Sequence, residues 1–361
     1  MENVAVTRSA GIDKSFWRGK RVLLTGHTGF KGSWLAIWLN RLGASVTGIS
    51  LPPSTAPSLF ALAGVGRECV NHFCDIRNAE QLATLVESTR PEVVIHLAAQ
   101  ALVRTSYREP LPTYATNVMG TVNLLDAVRR CPDTRVVLVA TTDKVYRNQN
   151  RLTPYREDDE LGGHDPYSAS KAASEIIVAS YRDAFLSAQE VALASVRAGN
   201  VMGGGDWSAD RLIPDAIRAW EAGLTVAVRN PNAVRPWQHV LDPLRSYLAL
   251  AQRLWAQPDL AGAYNVGPSS GEIWTVRQVI ELARSTYGAG SALYGSETEC
   301  PHETDLLTLD SGKLRETLGI RSKWNIRDTV ERTIAWYREL NNSTEARVLC
   351  SLDLDLHEDS I

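Results

Sequence analysis

The stretch Thr25-Gly26-His27-Thr28-Gly29-Phe30-Lys31-Gly32-Ser33-Trp34 decides how this chain is read. It follows directly on the apolar run Arg21–Thr25 and leads into the amphipathic segment Gly32–Leu42, so its glycines, spaced by three, lie on a strand-to-helix turn. In such a turn Gly26 permits the tight bend, Gly29 lets the backbone approach a pyrophosphate, and Gly32 allows helix and strand to pack closely. The helix N-terminus offers its unpaired N–H groups to the anion. Lys31 is placed either to touch a phosphate or to stand in solvent.

Outward from this turn, β-branched apolar runs recur at 21–25, 45–50, 70–74, 93–97, 135–141 and 191–197. Between them 32–42, 79–88, 113–130 and 166–186 carry apolar residues at three- and four-residue spacing, as helices covering a sheet must. This alternation predicts an α/β fold, a doubly wound parallel sheet of Rossmann type with its ligand at the C-terminal ends of the strands. Beyond Gly199 the rhythm weakens, which predicts a smaller, mixed α/β substrate lobe. The expected division is residues 1–199 for the cofactor, with 1–18 a leader, residues 200–340 mainly for the substrate and possibly interleaved with the first part, and 341–361 a frayed polar tail.

Composition narrows the function. Of 361 residues 44% are hydrophobic and 22% charged, with a net charge of −3 and no basic block, so a nucleic-acid footprint or a polybasic membrane anchor is not expected. Five cysteines, Cys69, Cys74, Cys131, Cys300 and Cys350, form no C-x-x-C pair, which argues against a thiolate metal site and a disulfide framework. No stretch has the length of a signal peptide core or a membrane span, so a cytoplasmic enzyme with a small-molecule substrate and no bound metal is expected. Trp34, Trp38, Trp220 and Trp255 fall at helical apolar spacing and read as core.

The second strand ends in Gly48-Ile49-Ser50-Leu51-Pro52-Pro53, without the acidic residue that binds ribose hydroxyls in the common fingerprint and without an arginine for a 2′-phosphate. NAD is therefore favoured over NADP. Asp75, after the third strand, either accepts from the adenine amino group or caps the following helix. A second signature, Tyr167-Ser168-Ala169-Ser170-Lys171, sets a phenol and an ammonium four residues apart on one helical face, after Ala140-Thr141-Thr142-Asp143-Lys144 at the end of the fifth strand. The Lys171 ammonium and a positive nicotinamide are expected to lower the phenol pKa and make Tyr167 a usable base.

These motifs, with His96-Leu97-Ala98-Ala99-Gln100 and Asn117-Val118-Met119-Gly120-Thr121, resemble the extended short-chain dehydrogenase/reductases. Within that family, Thr142-Asp143-Lys144-Val145-Tyr146, Gly199-Asn200-Val201-Met202-Gly203-Gly204-Gly205-Asp206-Trp207 and Arg235-Pro236-Trp237-Gln238-His239-Val240 resemble the nucleotide-sugar 4,6-dehydratases of the CDP-glucose branch. The resemblance implies a redox-neutral elimination early in deoxysugar biosynthesis, of the 3,6-dideoxyhexose or O-antigen type. Tyr167 would take the C4 hydroxyl proton as hydride passes to NAD, Thr142 would hold that hydroxyl, water would leave from C5 and C6, and the hydride would return to C6. Lys171 would bind the nicotinamide ribose.

Asp143 and Lys144 would serve the elimination. The dTDP-glucose relatives carry glutamate where Lys144 stands, and desolvation is expected to make Lys144 a neutral base or one member of a coupled pair. Cofactor contacts are implied for Gly26, Thr28, Gly29, Phe30, Gly32, Asp75, Ile76, Leu97, Ala98, Ala99, Thr116, Tyr167 and Lys171. Substrate contacts are implied for Asn200, Arg211, Leu212, Arg235, Asn265 and His302. A homodimer or dimer of dimers is implied through the helix of Tyr167, where Ala172, Ala173, Ile176, Ile177 and Ala179 suit the face. The rival readings are a nucleotide-sugar 4-epimerase, which usually has small residues at the places of Asp143 and Lys144, a dehydratase acting on a dTDP- or GDP-sugar, and a dinucleotide sensor without turnover.

Overall fold

The computed structural model describes residues 11–268, 273–295 and 306–360. Its centre is a seven-stranded, all-parallel sheet. The strands are β1 (Arg21–Thr25), β2 (Ser45–Ser50), β3 (Val70–Phe73), β4 (Val93–His96), β5 (Val136–Ala140), β6 (Ala192–Ala198) and β7 (Ala263–Val266), in the order β7-β6-β5-β4-β1-β2-β3. Every residue of β4, β5 and β6 is buried, as helices on both faces require. The order reverses between β1 and β4, where Thr25 lies opposite His96, so a crevice opens beyond the ends of those two strands. This is the expected doubly wound architecture, with β7 as a further strand supplied from beyond residue 200.

The principal helices are α1 (Phe30–Arg41), α2 (Ala79–Thr89), α3 (Gly120–Val128), α4 (Pro166–Tyr181), α5 (Leu212–Glu221), α6 (Leu241–Ala256), α7 (Val276–Tyr287), α8 (Ile326–Asn341) and α9 (Ala346–Asp359). The single helix expected over 113–130 is broken: Pro110–Tyr114 is followed by a π-helical turn at Ala115–Met119 before α3 begins. Such turns recur near functional sites. Trp34, Trp38 and Trp220 are buried and Trp255 packs against the same cluster, so the tryptophans are core as read from their spacing. Beyond the sheet, three two-stranded pairs and α5, α7 and α8 form the smaller lobe, while α6 packs back on β5 and β6.

Two expectations fail at the chain's margins. The segment 1–18 was expected as a leader, and of its described part Lys14–Trp17 is a helical turn whose Trp17 is fully buried, its Nε1 donating to Gln252 at 2.7 Å. The frayed tail expected over 341–361 is instead α9. The alternation of Leu352, Leu354 and Leu356 suggests a strand, but the buried set is Leu349, Cys350, Asp353, Leu354 and His357, spaced as one face of a helix. Polar members of that face are paired: Arg332 Nε donates to Asp353 at 3.1 Å, and His357 Nε2 lies 3.1 Å from Asp242 Oδ1. Burial drives the Asp353 carboxyl up to about 6 against the opposing pull of Arg332.

If α9 is a packed helix, Leu354→Ala, which empties a fully buried site, should cost about 2–5 kcal/mol. Leu352→Ala, at a half-exposed position, should stay within about 0.5 kcal/mol. Urea unfolding of the two variants checks this; equal, small losses would mean the segment is frayed.

Candidate active site

The glycine turn is built as tightly as its spacing implies. Gly26 has φ +78°, and a Cβ there would lie 2.7 Å from the Ala98 nitrogen. At Gly32 it would lie 2.0 Å from the Gly26 carbonyl oxygen. Gly29 differs: a Cβ would meet only that same oxygen, at 3.4 Å, so the room in front of it belongs to the cavity and not to the protein's own packing. Gly29 also caps α1 with no side-chain acceptor, leaving the first-turn N–H groups for a ligand. These residues fit a dinucleotide pyrophosphate.

The cavity behind them encloses about 1440 Å³ and runs from Ser50, Asp75 and Arg77 past Thr142 and Tyr167 to Arg229 and Arg235 in the smaller lobe. At its first end Thr28 Oγ1 donates to the Leu51 carbonyl at 2.8 Å, and the side chain of His27 fills the place over Gly48. Arg77, from beyond the third strand, also stands at this end. Its guanidinium is taken up by Asp75, with Nε 2.9 Å from Oδ2, so the pair presents little net positive charge. Asp75 does not cap α2; Asn78 does, accepting from Gln81 N at 3.1 Å. Ile76, Leu97, Ala98, Ala99, Phe30 and Thr116 line the same cavity.

Asp165 starts α4 as its N-cap, accepting from Ser168 N at 2.9 Å, with Pro166 in the first turn. One turn on, Tyr167 and Lys171 face the cavity, and Asn117 ties this helix to the end of β4 by donating to Ser170 at 2.9 Å and accepting from Gln100 N at 2.8 Å. Lys171 Nζ donates to the Ala140 carbonyl at 3.0 Å, and burial pushes it down to about 8. Burial pushes the Tyr167 phenol up to about 12, while a hydrogen bond with Thr142 and the charge of Arg211 oppose it. The expected lowering of the phenol is therefore not reached by the protein's own groups, against which burial prevails.

Past β5, Thr142 donates to Asp143 Oδ1 at 2.9 Å, and Lys144 Nζ lies 3.1 Å from that same oxygen and 3.2 Å from Asn200 Oδ1. Asp143 is buried and its Oδ2 has no hydrogen-bond partner, although it lines the cavity. A buried acceptor left unpaired costs about 1–3 kcal/mol. Lys144 is thus paired with Asp143 and does not stand alone.

A family model described as GDP-mannose 4,6 dehydratase matches residues 23–333. The chain belongs to this family. It is 43% identical over 333 residues to a CDP-glucose 4,6-dehydratase of Salmonella typhimurium, covering 91% of this chain and 93% of the relative. Among solved structures, DesIV of Streptomyces venezuelae, a dTDP-glucose 4,6-dehydratase with NAD and TYD bound, superposes with a TM-score of 0.76 at 25% identity, covering 90% of this chain and 98% of that one. The UDP-glucose 4-epimerase of Thermus thermophilus in complex with NAD gives a TM-score of 0.76 at 26% identity, covering 88% and 98%.

Family membership sharpens the view of the substrate end. Asn200, Arg211, Leu212 and Arg235 line the cavity. Asn265 does not: it is fully buried in β7, accepting from Tyr146 OH at 2.6 Å and donating to the carbonyls of Tyr155 and Asp310 at 2.8 and 3.0 Å, so its amide is spent inside the fold. His302 lies outside the described residues. Sequence reasoning missed Arg104 and Arg229, which line the cavity and lie 3.6 and 3.3 Å from Asp210 Oδ1. No spacing marks them, since they come from separate lobes. Among the described residues no group of His, Cys, Asp and Glu can hold a metal ion.

The geometry of the turn separates two glycines. Gly26→Ala should prevent the native turn and lower the melting temperature. Gly29→Ala should melt like the unaltered protein yet weaken NAD binding about tenfold or more, measured by calorimetry; NAD affinity untouched in Gly29→Ala would show that no cofactor occupies this space.

Proposed function

We propose that this chain is an NAD-dependent CDP-glucose 4,6-dehydratase that converts CDP-glucose to CDP-4-keto-6-deoxyglucose and water, early in deoxysugar biosynthesis of the 3,6-dideoxyhexose or O-antigen type. The observation that carries the reading is the meeting of Tyr167, Thr142 and the unpaired Asp143 oxygen in one cavity with a dinucleotide turn. The 43% identity to the Salmonella dehydratase supports the nucleotide, and Asp143 with Lys144 favours elimination over epimerisation. Gly26, Thr28, Gly29, Phe30, Gly32, Asp75, Ile76, Leu97, Ala98, Ala99, Thr116, Tyr167 and Lys171 would hold NAD, which when bound accepts hydride from C4 of the sugar and returns it at C6.

The protein's part is proton transfer and placement. As the phenolate, which the positive ring of bound NAD would favour, Tyr167 takes the C4 hydroxyl proton, and Thr142, bonded to that phenol, holds the hydroxyl in reach. Oxidation at C4 makes the C5 hydrogen acidic. Asp143 and Lys144 act as one coupled pair: the C5 proton passes to the Asp143 carboxylate as the Lys144 ammonium gives a proton to the C6 hydroxyl, which departs as water, and a proton passed from Asp143 back to Lys144 restores the pair. Arg211 and Arg235 would meet the diphosphate, for which a planar guanidinium fork is suited.

The same reading places the protein in the cytoplasm as a homodimer. Among the described residues no helix is long and apolar enough to cross a membrane. Leu111, Met119, Ile176 and Phe185 are exposed on α4 and the segment packed against it, which supports a partner copy on that face. Ala172 is buried within the subunit, so it is not part of that surface.

Turnover of a panel of CDP-, dTDP-, UDP- and GDP-glucose, followed by the alkali-induced absorbance of 4-keto-6-deoxy sugars, tests the assignment. CDP-glucose should be consumed preferentially, and an epimerised product without that absorbance would reject it. Tyr167→Phe should lower turnover by about 10²–10⁴ with substrate binding little changed. Lys144→Met should oxidise C4 but stall before water loss; water loss at the unaltered rate would remove Lys144 from the pair.

A further inference from the structure

Lys31 is the one residue of the glycine turn whose placement the proposed reaction leaves without a role. It sits in the first turn of α1, where the backbone already presents positive partial charge and where a cation is disfavoured. Its side chain lines the cavity and does not run out to solvent as a surface lysine would. Nζ lies 3.4 Å from the Tyr247 hydroxyl and 5.6 Å from the centre of that ring, and Tyr247, from α6, is fully buried and uncharged. The charged groups around it are Arg211 and Lys171, which repel an ammonium, and Asp143, which attracts it but is already paired with Lys144. Burial, helped by that repulsion, pushes Lys31 down to about 7. The ammonium is thus retained at a cost, beside the residues proposed to do the chemistry.

We propose that Lys31 sets the charge balance at the reaction end of the cavity, adding positive charge that disfavours the oxidised cofactor, with its cationic ring, relative to the reduced one. This rests on the reading of the chain as an NAD-dependent dehydratase. In that reaction the electron pair removed from C4 must stay on the cofactor until water has left, and only then return to C6. A cation that favours the reduced form holds the pair during the elimination. It also weakens binding of the oxidised form, at a turn whose second strand already lacks a carboxylate for the ribose. The two forms share the same pyrophosphate and riboses, so the ratio of their affinities isolates the ring charge from any contact Lys31 makes with a phosphate.

The experiment is calorimetric or fluorescence titration of the intact protein with NAD⁺ and with NADH separately, for the unaltered chain, Lys31→Met and Lys31→Arg at pH 7. Removing one unit charge from a partly hydrated cavity is worth a factor of about ten, so Lys31→Met should tighten NAD⁺ roughly tenfold and leave NADH within about twofold. Lys31→Arg, which keeps a cation, should retain the preference for NADH. Lowering the pH from about 8 to 6 should weaken NAD⁺ relative to NADH more in the unaltered protein than in Lys31→Met, where Lys171, pushed down to about 8, is the cation that still gains charge in this window. Equal weakening of both forms in Lys31→Met would show a phosphate contact and overturn the proposal, as would an unmoved ratio. A protein that binds neither form would instead overturn the cofactor reading on which the proposal stands.

Discussion

The fold and the site depend on one crossing at which there is no space. Gly26 turns the chain with a positive φ against the Ala98 nitrogen, and Gly32 brings α1 over the Gly26 carbonyl, so three elements meet where no Cβ fits. That contact fixes the end of β1 beside the end of β4 and aims the first turn of α1 into the crevice between them. Everything carried by those ends follows: the 97–99 backbone on one wall, Thr142 and Asp143 past β5, and α4 docked through Asn117. The site is thus a consequence of sheet order, and its chemistry comes from side chains placed at strand ends.

Burial gives those side chains their character. The same desolvation pushes Tyr167 up and Lys171 and Lys31 down, so each of these groups is held toward its neutral form. Asp143 stands among them with one oxygen paired to Lys144 and the other without a partner. Arg211 and Arg235 line the same cavity, so the charge of this end is set by groups from both lobes.

Much of this was legible in the chain. Parallel strands read well because burial on both faces makes them continuous apolar runs, and the glycine turn and the Tyr167–Lys171 spacing are local patterns with steric or helical reasons. What was not legible depends on distant partners. Asn265 looks like a polar residue open to a ligand until Tyr146, Tyr155 and Asp310 are seen to use its amide. The helix α9 hides because its buried face contains Asp353 and His357, which need Arg332 and Asp242 from elsewhere. The surroundings of Lys31, which its place in the turn leaves open between phosphate and solvent, were hidden for the same reason: they are assembled from α4, α6, the segment past β5 and the loop before α5.

The central claim is an internal oxidation and reduction that moves one hydrogen from C4 to C6 of the sugar while water leaves. Its most direct test is mass and magnetic resonance analysis of the product formed from CDP-glucose carrying deuterium at C4. The account predicts that the deuterium appears on C6, in the same molecule, with a solvent hydrogen at C5. Deuterium found again at C4, or lost to solvent, would contradict it.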